Sequence, residues 1–196
     1  MGEEIPSFSA AELLAGSRPA TAQDLHMVRM LLDSGKQIES VVSGGSMERA
    51  VPLGSRIRIR RCDERVRSRG QVVAFLAGER IVVHRIVHAG VRGPARQFLI
   101  TQGDADWLCD PPVSIDLVAG CVDEVSIDGQ WRAIGPARIS PVQRAFSAAA
   151  RVLLVLALEA NPGWAKTFGR WMFALRLRTY RLRAHSRSGD SRNVRT

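Results

Sequence analysis

The 196-residue sequence predicts a mainly β, antiparallel domain with short N-terminal helices and a C-terminal helical extension. Three observations lead there. From Ile38 onward, Ile/Val-rich runs alternate with polar residues between Gly, Pro and Asp clusters, the period-2 pattern of half-buried strands. On either side of that region the apolar spacing turns helical. A composition of 45% hydrophobic and 24% charged residues is that of a globular chain long enough to bury a real core.

In chain order, residues 1–37 form a helical segment. Ser9-Ala10-Ala11-Glu12 reads as a capping box opening a short helix that stops near Gly16, since hydroxyl and carboxylate can each satisfy a free backbone N–H. Thr21 can cap a second helix through Asp33, with Leu25, Val28, Leu31 and Leu32 on one buried face and Gly35 as its stop. Residues 38–136 form the β-domain, with strands expected at 38–42, 56–61, 71–76, 81–88, 97–101 and 117–127. Residues 137–183 form a basic extension of two helices, Pro141–Glu159 and Trp164–Arg183, broken at Asn161-Pro162-Gly163. The Arg/Ser-rich tail, 184–196, has almost nothing apolar to bury and is expected to be disordered.

Charge is distributed unevenly. The net charge of +9 suggests nucleic acid or anionic membrane as a partner. Residues 1–137 hold 16 Lys+Arg against 17 Asp+Glu, however, whereas 138–196 hold 12 against 2. The basicity therefore belongs to the C-terminal segment. Arg56, Arg58, Arg60 and Arg61 around Ile57 and Ile59 read as one solvated strand face and not as a nucleic-acid reader. Cys62, Cys109 and Cys121, odd in number and without Cys-x-x-Cys spacing, argue against a disulfide scaffold or a zinc site and for a reducing compartment. No secretory signal is visible at the N-terminus, and the apolar stretch Ala145–Ala160, interrupted by Arg151 and Glu159, is short for a spanning helix. A cytoplasmic location, or a peripheral one at the inner membrane, is expected.

The segment Val41-Val42-Ser43-Gly44-Gly45-Ser46-Met47 delivers a serine just past a Gly-Gly turn. Glycines there permit positive φ, let a substrate backbone approach and leave N–H groups free for an oxyanion. Alone, such a serine is most often part of a turn. Further along come Gly54-Ser55, Arg69-Gly70-Gln71, Val82-Val83-His84-Arg85-Ile86, Thr101-Gln102-Gly103-Asp104-Ala105-Asp106, Asp110-Pro111-Pro112 and Val118-Ala119-Gly120-Cys121.

This succession, over about 85 residues from Val41 to Val125, resembles the type I signal peptidases and their relatives, the LexA-type self-cleaving repressors. The resemblance implies a signal-peptidase/LexA-like β-fold. Ser46 stands at the nucleophile and His84 at the general base of the His-type members. Asp110 stands at the catalytic Asp and Asp104 at a supporting one, while Gly44, Gly45 and Met47 line the oxyanion and substrate side. It also implies cleavage near small residues. The chain departs from the family's pattern at four places. Arg49 replaces the usual Pro, and two Gly-Asp pairs of the family become Gly54-Ser55 and Gly70-Gln71. Gly44 stands where signal peptidases place a hydroxyl.

In chemical terms the set is coherent without the family. A serine hydroxyl needs a neighbouring base to attack a carbonyl near neutral pH, and a carboxylate on the far imidazole nitrogen fixes the tautomer and stabilises the imidazolium. Set against this, a core histidine is the default reading of His84 in an apolar run, and Asp104 and Asp106 could be turn carboxylates. His88 shares a strand face with His84 by spacing, but no third ligand accompanies the pair. No metal and no cofactor are expected.

The expected function is that of a serine endopeptidase acting on a leader or precursor peptide. The alternatives are LexA-like self-cleavage, for which Ala15-Gly16 is one of several Ala-Gly bonds, and a non-catalytic docking module. The partner is a peptide or protein substrate. An anionic membrane surface is a second, because Trp164, Phe168, Trp171 and Phe173 are interleaved with Lys166, Arg170, Arg176 and Arg178. Packing of the C-terminal helices on the β-domain is an equal alternative, and nucleic acid carries less weight.

Overall fold

The structure, a computed structural model, describes residues 19–62, 68–92, 96–137 and 139–160. Within them the chain is mainly β, a curled antiparallel half-barrel sheet accompanied by two helices. The elements are α1 (Ala22–Asp33), β1 (Ile38–Val41), β2 (Arg56–Arg60), β3 (Val72–Ala77), β4 (Arg80–Arg92), β5 (Arg96–Gln102), β6 (Val113–Ser114), β7 (Val118–Ile127), β8 (Gln130–Ala133) and α2 (Pro141–Ala160). The sheet order is β1-β2-β7-β3-β4-β5-β6, with β8 paired to β7.

Helix α1 starts where the sequence places it. Thr21 accepts from the Asp24 N–H, and the Asp24 side chain answers to the Thr21 N–H, so two orphan donors of the first turn are satisfied reciprocally. Its buried face, Leu25, Val28 and Leu32, joins Ile38, Ile57, Ile59, Val72, Ala74, Val122 and Val125 in the main core. Met47 is in that same core, which fixes the turn carrying Ser46 to the body of the domain. In β2, Ile57 and Ile59 point into the core while the arginines between them face acidic neighbours. Arg58 bonds Glu39 and Glu124 and lies 3.9 Å over the Trp131 ring, and Arg61 pairs with Asp33. Those pairings account for the alternating arginines as a solvated face.

Two strands extend the expected set. The two-residue β6 is too short to show a period, and β8 follows the Asp128-Gly129 turn, whose residues have φ of 53° and 77°, the conformation of a tight hairpin. The helix expected at Ser9–Gly16, the Ala15-Gly16 bond, the helix expected at Trp164–Arg183 and the tail all lie outside the described residues.

Cysteine pairing corrects the sequence reading. Cys62 and Cys121 form a disulfide, leaving Cys109 as a buried free thiol. The odd count concealed the pair, because the two partners are 59 residues apart and meet only when β7 is laid between β2 and β3. A bridge of this kind belongs to an oxidising setting and weighs against the reducing compartment expected from the count. Burial pushes the Cys109 thiol up to about 11, with the neighbouring Asp110 carboxylate acting in the same direction. Alkylation of the unfolded, unreduced chain is therefore expected to label one cysteine, and three after reduction. Reduction should lower stability by about 2–4 kcal/mol. Three labelled thiols without reductant would show that the bridge does not form.

Candidate active site

Ser46, His84 and Asp110 come from three separate parts of the chain. Ser46 sits in a single 3-10 turn, Gly45–Met47, in the connection from β1 to β2. Its placement follows from its neighbours: the buried Met47 side chain is an anchor, and the Met47 carbonyl accepts the N–H groups of Ala50 and Val51. His84 lies in β4, opposite Val73 of β3, fully buried and edge-on to the Phe75 ring at 6.1 Å. Asp110 follows β5, and its N–H donates to the Thr101 carbonyl.

These three side chains are in line. The Ser46 hydroxyl lies 2.9 Å from His84 Nε2, and His84 Nδ1 lies 2.5 Å from Asp110 Oδ2. An ionised carboxylate only accepts, so Nδ1 carries the proton and Nε2 is left to accept from the Ser46 hydroxyl. Thr101 Oγ1 donates to the same Asp110 oxygen at 2.7 Å, fixing the carboxylate from its other side. Histidine and aspartate are buried while the serine is half-exposed, which leaves the hydroxyl open to solvent and the two groups behind it shielded.

The Asp104 carboxylate accepts from Nε and Nη2 of the buried Arg85 guanidinium, at 2.9 and 2.7 Å. Arg85 also donates to the carbonyls of Gly70 and Gly135. Besides Asp110, the carboxylate of Asp106 approaches the ring, its Oδ2 4.0 Å from His84 Nε2, on the serine side. His88 lies against the Phe98 ring, past an irregularity in the β4–β5 register between Ile86 and His88.

The glycines also differ from expectation. Neither Gly44 nor Gly45 has positive φ; Gly44 is extended, at φ −111°. What Gly44 supplies is room, since a Cβ there would meet nothing within 4 Å. The glycine the site cannot lose is Gly103. A Cβ on it would stand 2.5 Å from Asp106 Oδ2, 2.6 Å from the Ser46 carbonyl oxygen and 2.8 Å from the Ser46 Cβ. That close approach lets the Ala105 N–H reach the Ser46 carbonyl at 2.8 Å and the Asp104 N–H reach Met47 Sδ at 3.4 Å.

Helix α2 supplies the residues that sequence reasoning missed. Gln143, fully buried, donates through Nε2 to the carbonyls of Asp106 at 2.7 Å and Asp104 at 3.3 Å, and accepts from Arg49. Ser147 donates to Gln102, whose own amide donates to the Asp106 carbonyl at 2.8 Å. Polar residues at 143 and 147 are four apart on one helix face, and that spacing was the available signal.

Comparison with protein-family models, curated proteins and solved structures finds no match to this chain.

Gly103→Ala is expected to keep the fold but push the Ser46 turn from His84. Its reaction with a fluorophosphonate probe, which phosphonylates serine with loss of fluoride, followed by intact mass, should fall at least about tenfold, the consequence of an ångström-scale misplacement. Labelling of Ser46 at the wild-type rate would show that the contact does not position the serine.

Proposed function

We propose that this chain is a serine endopeptidase that cleaves a leader or precursor peptide. The observation that carries the reading is the continuous line from the Ser46 hydroxyl through the His84 imidazole to the Asp110 carboxylate. The order of the motifs, similar to that of the His-type signal peptidases, supports it independently of the geometry.

In the reaction, Ser46 Oγ attacks the scissile carbonyl as its proton passes to His84 Nε2. Asp110 holds the Nδ1–H and stabilises the imidazolium. The tetrahedral oxyanion is received by the Ser46 N–H and a neighbouring loop N–H. His84 then returns the proton to the leaving amine, giving an acyl-serine. Water, deprotonated by His84, attacks the ester and releases the second product, and the proton returns to Ser46.

The open space over Gly44 allows a substrate backbone to approach the turn. Among the described residues no helix is long and apolar enough to cross a membrane. The Cys62–Cys121 bridge favours an oxidising setting over the cytoplasm, a condition that an inner-membrane surface meets only on its non-cytoplasmic face.

With a candidate precursor as substrate, intact-mass analysis should show cleavage by the wild type and none by Ser46→Ala. Asp110→Asn should retain the fold and lose about 10⁴-fold in kcat, as expected when the imidazole is held in the wrong tautomer. Equal cleavage by wild type and Ser46→Ala would overturn the proposal.

A further inference from the structure

Helix α2 is amphipathic in the reverse of the usual sense. Its inward residues include the polar Gln143 and Ser147, with Leu154 the buried apolar contact, against Ile100 and Cys109. Its apolar residues Val142, Phe146, Leu153 and Leu156 face outward, each more than half exposed, at spacings that keep them on one stripe. Trp107, 43% exposed, extends the stripe from the catalytic loop, with its ring edge-on to Phe146 at 6.1 Å. An outward row of large apolar side chains is costly in water and marks an interaction surface.

We infer that this stripe docks on an anionic lipid surface, with α2 lying in the interface plane. Charge selects that occupant. Residues 138–196 carry 12 Lys+Arg against 2 Asp+Glu, and nine of those cations lie in residues 161–196, into which the chain of α2 runs directly. A second copy would bring the same positive field against itself, whereas anionic headgroups oppose it. The helix is 20 residues long with its large exposed apolar residues on one side, the pattern of a helix that lies in a bilayer interface. Because Gln143 on its inner face is bonded to the loop beneath Ser46, a docked molecule holds the serine close to the lipid surface.

The test uses the full chain and no peptide substrate, so it is separate from the peptidase reading. Wild-type protein should co-sediment with vesicles of phosphatidylglycerol and phosphatidylcholine, and much less with phosphatidylcholine alone. Phe146→Glu/Leu153→Glu should reduce partitioning at least about tenfold with an unchanged thermal midpoint, since the side chains replaced are solvent-exposed. The apolar-conserving Phe146→Leu/Leu153→Met should retain binding. Absence of wild-type binding, or equal binding by the Glu variant, would overturn the inference. So would a dimer that the Glu substitutions dissolve, or a marked fall in their thermal midpoint, since either outcome would show protein covering the stripe.

Discussion

The site depends on one close backbone contact, that between the turn bearing Ser46 and the loop beginning at Gly103. Ser46 lies in the β1–β2 connection, His84 within β4, and Asp110 beyond β5. No regular strand pairing brings the first of these to the others. Contact at Gly103 does so, because the absence of a side chain lets two backbones approach to where Ala105 can donate to Ser46. The same loop carries Asp106 and leads to Asp110, so a single segment sets both the position of the serine and the orientation of the histidine.

Around that contact the protein gathers several buried polar groups. Arg85 and Asp104 pair within the interior, and Gln102, itself bonded by Ser147, and Gln143 converge on the Asp106 carbonyl. Buried polar groups of this kind contribute little net stability when satisfied, but they are costly to leave unpaired, so they define one arrangement of the loop. The core beneath is conventional by comparison: one face of α1, the inward residues of the strands and Met47.

Most of this architecture could be read from local pattern. The capping pair Thr21 and Asp24, the alternation through β2 and the Ile/Val run of β4 are short-range signals, and each element formed where they lie. Ser46, His84 and Asp110 were legible as an ordered set of motifs, although only the folded chain brings them into line. The partner of Asp104 was not legible, because Arg85 adjoins His84 on a strand and alternation alone would send it to the opposite, solvated side. Nor could the period of α2 tell which of its faces points inward, or the cysteine count which thiols meet. Those outcomes depend on the curl of the sheet and on what the loops bring to its surface.

Strand register links two features described separately. Cys121 of β7 stands opposite Val73 of β3, and Val73 stands opposite His84 of β4, so the disulfide and the imidazole share one rung across three strands. His84 thus takes its position from strand pairing that runs on to a covalent crosslink, whereas Ser46 takes its position from a turn lodged against the loop at Gly103.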